Sequence, residues 1–363
     1  MSEEMSEEVL WERTLHQRVY PRTVAVAGDC VVAHERRSRL VCLDWRDGTL
    51  RWDVPFGLWP RSVVAAGDHC LGIAQNADVL TCWDLRTGAV LWKADLPRLA
   101  GHIVVGDDTV IVGGWRGYTP LHAFDLSTGR LLWSTGERHD TVRPLVVGDA
   151  VLIGEDQGAS VRLIRMRDGW QRARWELPEP LIAADARMIF SWAGADRVLA
   201  RCGQSTVVEI PIGGGTIRTL RCHDRALAAT AVHRTGGLLW LREPTGYAVA
   251  DHAEGALRWR IDLRQRPAEG VIPAGSGFLI GGGQGTLFHI DSTGRVIKRS
   301  AVSRRIAELC SAGPDSDPDA LIVATRSTLL ALRIAAADAS REPLQDDGPH
   351  HRWVRSGESP GLL

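Results

Sequence analysis

The sequence predicts an all-β protein, a single eight-bladed β-propeller whose ring is closed by the N-terminal strand joining the last blade. Three observations carry this reading. A ten-residue segment, Leu43-Asp44-Trp45-Arg46-Asp47-Gly48-Thr49-Leu50-Arg51-Trp52, returns as Trp83 to Trp92 and again as Phe124 to Trp133. Its anchor positions and their more degenerate counterparts fall at 44, 84, 125, 165, 209, 251, 291 and 332, in steps of 40 to 44. Residues 9–15, Val-Leu-Trp-Glu-Arg-Thr-Leu, match the outer-strand segment Val90 to Leu96 at four positions. A sheet unit repeated at this period is the mark of a propeller.

Each repeat has the same internal grammar. An apolar run such as Val63-Val64-Ala65-Ala66 leads to Gly67-Asp68, a second apolar run follows, then a polar turn, a strand ending in aspartate, a glycine turn and a strand bearing tryptophan. Four short strands bounded by turn residues within about 40 positions make one blade. The aspartate is placed to accept hydrogen bonds from the turn after it, and the glycine supplies a backbone geometry that other residues resist. The tryptophan is expected to cover the sheet edge and pack between blades. The last repeat, Ile306 to Ile334, has room for three strands only. The segment around Trp11 is therefore expected to complete it, which removes exposed sheet edges. The domain division that follows is a disordered N-terminus over 1–8, the propeller over 9–335, and a disordered tail over 336–363 rich in Pro, Gly, Asp and Arg.

The pattern Leu-Asp-x-x-Thr-Gly-x-x-x-Trp resembles the pyrroloquinoline-quinone-like propeller repeat and covers 9 to 335. Relatives of that kind include quinone-dependent alcohol dehydrogenases, an outer-membrane assembly lipoprotein and sensor domains. The resemblance implies a quinone cofactor only for members with an adjacent-cysteine disulfide and a calcium site. This chain has no adjacent cysteines, so no cofactor is expected. The assembly lipoprotein is set aside as well, since no lipid-attachment sequence is found.

Composition bounds the rest. The 363 residues are 44% apolar and 24% charged with 38 glycines, and the net charge is −1, so no global field draws the chain to nucleic acid. The opening MSEEMSEEVL has neither a basic start nor an apolar stretch, and no run near 18 apolar residues occurs. The seven cysteines show no Cys-x-x-Cys spacing. A cytoplasmic protein without membrane contact is the expectation. The twelve histidines show no metal spacing, and no metal site is expected.

In a propeller the loops leading into the innermost strands surround the channel mouth, and function resides in such loops. Counting back from the Gly-Asp turns places Tyr20 and Arg22, then Trp59 and Arg61, as the same aromatic-Pro-Arg triplet in successive blades. The corresponding positions further on are His102, Arg143, Glu269 and Glu308, and a nearby turn adds Trp115 and Tyr118. Guanidinium forks and aromatic rings suit an anionic, partly aromatic ligand. The mouth is thus expected to bind a partner protein, a peptide or a small anionic molecule. The rival reading is an enzyme, a cyclase, lyase or isomerase of a specialised biosynthetic route, with His102, Glu269 or Glu308 as acid or base. His289, two residues before Asp291, reads as a buried histidine with a partner. Gly281-Gly282-Gly283 joins two strands and opens no helix, so it is discounted as a phosphate loop.

Overall fold

The structure, a computed structural model, describes residues 6–16, 23–35, 38–58, 60–74, 78–97, 100–114, 120–135, 142–155, 157–182, 189–194, 196–228, 232–235, 237–302, 305–311 and 320–335. Among these the chain forms 32 strands and no helix. Six four-stranded antiparallel sheets follow one another along the chain. Two further four-stranded meanders, one over 267–301 and one over 306–335 with the strand Ser6–Thr14, are joined into one eight-stranded sheet. The sequence predicts eight separate sheets; the last two instead meet through one parallel pair, Glu269 beside Glu308. First strands of neighbouring units pack on one another, so these strands line the centre of the assembly.

Local chemistry explains each turn. The Asp84 carboxylate accepts from the Arg86 and Thr87 amides at 3.0 and 2.8 Å and from the Thr87 hydroxyl at 2.8 Å. Asp125 does the same for Ser127 and Thr128. These bonds hold the Asp84 and Asp125 carboxyls below the ordinary aspartate range. The glycines that follow have φ near +70°, a geometry that carries no penalty without a Cβ.

The tryptophans stitch successive units together. Trp52 donates its indole N–H to the Leu85 carbonyl at 2.8 Å, Trp92 to Leu126 at 2.8 Å and Trp133 to Met166 at 2.7 Å. In each pair the ring lies flat against the turn glycine of the next unit. A Cβ on Gly88 would come within 2.8 Å of Trp52, and one on Gly129 would run into the Trp92 ring. The glycine is thus demanded twice, by its dihedral and by the ring above it.

Trp11 closes the circle with the same device. It donates to the Trp45 carbonyl at 2.7 Å and covers Gly48. Its strand, Ser6–Thr14, pairs antiparallel with Thr328–Ala335, and Leu15 donates its amide to the Ser327 carbonyl at 2.8 Å. One core cluster therefore joins Val31, Val41 and Leu43 of the first unit to Ile322, Leu329 and Ala331 of the last through Trp11 and Leu15. The strand begins at Ser6, ahead of the Val9 boundary expected from the sequence, with Glu7 and Glu8 paired to Ile334 and Arg333. The tail 336–363 lies outside the described residues.

Between the seventh and eighth units no tryptophan is available, and Glu7 takes over. Its carboxylate bonds the buried His289 imidazole, accepts from the Ser300 hydroxyl at 2.8 Å and lies 4.0 Å from Lys298. His289 is thus a buried histidine with a partner, as the sequence suggests. Burial raises the Glu7 pKa, but the bonds from His289 and Ser300 outweigh it and the net is downward.

Replacing Trp11 by alanine is expected to cost about 3–5 kcal/mol, read as a lower denaturant midpoint. Leu50→Ala, at an exposed position of an outer strand, should change that midpoint little. Glu7, held below its ordinary 4.5, adds stability that is present above that pH and is lost as the pH falls through the folded value. The stability gap between the native chain and Glu7→Gln should therefore be widest near neutrality and close on acidification.

Candidate functional site

The first strand of each unit starts where the antiparallel second strand ends, so both carry side chains to the same end of the sheet. Three first strands share an irregularity. The register shifts between Pro60 and Ser62, between Ala100 and His102, and between Ile306 and Glu308. Each bulge admits one extra residue, namely Arg61, Gly101 or Ala307. A fixed count along the sequence is out of step with this. Arg61 occupies the bulge itself, whereas His102 and Glu308 fall one place later, beside Gly113 and Ala324.

The bulge decides which expected residues face solvent. His102 is 3% exposed and packs within the sheet stack, so it is corrected from a mouth residue to a buried one. Arg61, Arg143, Glu269 and Glu308 are half-buried. Tyr20, Arg22, Trp59, Trp115 and Tyr118 lie outside the described residues.

Glu269 and Glu308 are the pair that the fold brings together, as Cα partners on neighbouring first strands. The approach to Glu269 is gripped from the sixth unit. Arg242, 4% exposed, donates Nη2 to the Pro267 carbonyl, and the buried Tyr247 hydroxyl donates to the Ala268 carbonyl at 3.3 Å. Arg242 Nη1 also lies 4.0 Å from the Glu269 carboxylate. Burial pushes the Tyr247 phenol up to about 12. Burial likewise raises the Cys310 thiol, and the Glu308 and Glu269 carboxylates add to the rise. Glu269 thus sits on a strand held by these hydrogen bonds with one guanidinium beside it, and Glu308 stands on the neighbouring strand.

Arg201 occupies the matching position one unit earlier. It is equally buried, and its guanidinium donates to the Leu227 carbonyl at 3.1 Å and to that of Ile182. Sequence reasoning passed over both arginines because they lie at or next to the ends of largely apolar strands. Their separation of 41 residues, one repeat step, is the signal that could have found them.

A second polar group lies where the fifth and sixth units meet. His223 Nε2 is 2.8 Å from Glu243, while its Nδ1 accepts from Arg221 at 3.1 Å. Glu243 also accepts from Arg260 at 3.1 Å and Arg225 at 3.2 Å, and Arg260 reaches Asp224. His223, Asp224 and Glu243 hold ligand atoms within 4.8 Å of one another. Three guanidinium groups already occupy those oxygens and the histidine, so the set reads as an ion-pair network between units rather than a metal centre.

Comparison with known proteins adds the lineage. The family described as outer membrane protein assembly factor BamB matches residues 75–236. The chain is a β-propeller built of pyrroloquinoline-quinone-like repeats. A Burkholderia pseudomallei protein named outer membrane protein assembly factor BamB is 31% identical over 173 residues, which are 44% of this chain and 44% of that one. The alignment thus spans less than half of that relative. Among solved structures, BamB from Moraxella catarrhalis superposes with a TM-score of 0.72 at 14% identity, over 90% of this propeller and 98% of that chain. A europium-containing methanol dehydrogenase gives 0.70 at 11% identity over 90% and 93%, and the designed protein Ika8 gives 0.73 at 14% over 90% and 99%. At such identities the likeness is one of fold.

Two expectations are corrected by these relatives. The assembly factor is set aside on the sequence, yet a family model of that description matches residues 75–236. The cytoplasmic placement is overturned with it, because the relative that aligns at 31% identity is named for outer-membrane assembly. Among the described residues no helix is long and apolar enough to cross a membrane.

Arg242→Ala should leave the Pro267 carbonyl without its buried donor and cost about 1–3 kcal/mol, measured by equilibrium unfolding. Arg242→Lys should recover only part of that loss, since one ammonium cannot reproduce the guanidinium fork.

Proposed function

We propose that the chain is an eight-bladed propeller, with residues 6–14 completing the eighth blade, that serves as a docking scaffold for a partner protein. A basic segment of the partner is received at the channel mouth by Glu269 and Glu308. The observation that carries this reading is the side-by-side placement of Glu269 and Glu308 as Cα partners on neighbouring first strands. A lysine or arginine side chain of the partner laid across the two glutamates would make charge-assisted hydrogen bonds to both. The bracing by Arg242 and Tyr247 supports the same reading, because a prearranged site loses little freedom when it is filled.

The relative's name, an assembly factor, supports a protein as the partner. On this side of the mouth carboxylates repel anions, so a small anionic ligand is not the choice here. The enzyme alternative draws no support from His102, whose imidazole is buried beside Gly113.

Fluorescence anisotropy with a labelled lysine- and arginine-rich peptide, and an acidic peptide of equal length, tests the proposal. The basic peptide should bind the native chain, and Glu269→Gln/Glu308→Gln should weaken it at least about tenfold, or about 1.4 kcal/mol, at an unchanged melting temperature. Equal affinity in the double variant, or tighter binding of the acidic peptide, rejects the site.

A further inference from the structure

Buried cysteines gather where the first and second units meet. Cys30, Cys42 and Cys70 belong to one core cluster, and Cys82 sits on the strand beside that of Cys70. Cys30 and Cys42 occupy adjacent antiparallel strands, Cys30–Glu35 and Arg39–Asp44. Cys30 is opposite Asp44 and Val32 opposite Cys42, so the two thiols stand diagonally on one face of the sheet. Both sulfurs converge on the Leu85 carbonyl oxygen, at 3.8 and 3.9 Å. The same oxygen accepts the Trp52 indole N–H.

The two thiols are not equivalent. Arg51 Nη1 lies 3.4 Å from the Cys30 sulfur, and the other arm of that guanidinium is held by Asp44. The Cys42 thiol hydrogen-bonds Cys30, and with Arg51 it pulls the Cys30 pKa below the ordinary thiol value. The same bond, together with burial, drives Cys42 upward. Burial raises Cys70 as well, and pushes Cys82 up to about 12. A thiolate is the reactive form of cysteine, and a neighbouring cation is what favours it. Among the described residues of this cluster, Cys30 is the thiol that a guanidinium contacts directly.

We propose that Cys30 and Cys42 form a peroxide-reactive thiol pair, Cys30 attacking and Cys42 resolving, that closes to a disulfide inside the first unit. In the first step the Cys30 thiolate attacks one oxygen of a hydroperoxide. An S–O bond forms, the O–O bond breaks and hydroxide leaves, giving Cys30 sulfenic acid. In the second step the Cys42 sulfur attacks the Cys30 sulfur, the S–O bond breaks, and the Cys42 proton leaves with the departing oxygen as water. The pair is oxidised by two electrons and the peroxide is reduced to water and hydroxide. Cys30 is 3% exposed and the Arg51 side chain that leads to it 28%. Such access suits a reagent as small as hydrogen peroxide and disfavours a bulky disulfide.

The test uses the purified full chain, hydrogen peroxide as the probe, and peptide mapping by mass spectrometry without reduction. A peptide cross-linked between Cys30 and Cys42 should appear under native conditions and revert with a thiol reductant. Cys42→Ser keeps a hydrogen-bond donor but cannot close the ring, so dimedone should trap Cys30 as the sulfenic acid. Cys30→Ser should leave Cys42 unlabelled. In Cys42→Ser, adding Arg51→Met should slow Cys30 labelling at neutral pH at least about tenfold and move its pH profile upward, a change that looser packing would not produce. The inference is overturned if Cys30 and Cys42 stay reduced in the folded chain while the exposed Cys222 oxidises. It is equally overturned if the cross-link forms only after unfolding, or joins other cysteines.

Discussion

The contact on which the rest of the molecule depends is an indole laid on a glycine. A four-stranded sheet cannot bury its own faces, so each unit must find a neighbour on both sides. The tryptophan of one outer strand supplies that contact with two coupled terms, a ring face against the next turn and an N–H aimed at a carbonyl beyond it. Ring and glycine fix one another, and the distance between them sets the spacing from unit to unit. Because Trp11 makes the same contact to Gly48, the chain's first strand behaves as the outer strand of its last unit, and the row of sheets bends into a circle.

Where the tryptophan is missing, charge replaces it. In the fifth unit Arg221 stands at the tryptophan position, and its guanidinium donates to the Gly255 carbonyl of the next turn at 2.8 Å. At the seam between the seventh and eighth units the strand that should begin after a turn begins near the chain terminus, so there is no turn glycine to cover. Glu7 with His289, Ser300 and Lys298 bridges that gap. The ion-pair network around Glu243 belongs to the same logic. A planar or forked cation reaches across to the neighbour where an aromatic ring elsewhere would lie.

The mouth inherits its geometry from this ring. Glu269 and Glu308 are 39 positions apart in the sequence and neighbours in space because successive first strands converge on the centre. Arg242 and Tyr247 then hold the approach to one of them through two consecutive carbonyls. The glutamates themselves were legible in the sequence, because they stand at repeat-equivalent positions. Their pairing was not, since it depends on which two first strands meet edge to edge. His102 stands one place beyond the bulge position that Arg61 occupies in the second unit, and it lies buried beside Gly113. Arg201 and Arg242 were missed for a different reason, because an arginine at or next to the end of a largely apolar strand looks like a strand terminus until the neighbouring carbonyls are placed.

By itself the sequence determined the repeat, the turn chemistry of Asp84 and Gly88, the role of the tryptophans as packing between units, and closure through the segment around Trp11. These are properties of short windows copied at a constant step, and a window's hydrogen bonds are satisfied by its own residues. Only the tertiary structure decided which carboxylates meet, which arginines are buried, and which of seven cysteines has a guanidinium beside it. Those outcomes depend on atoms from different repeats brought within a few ångströms, and the sequence carries the residues but not the distances.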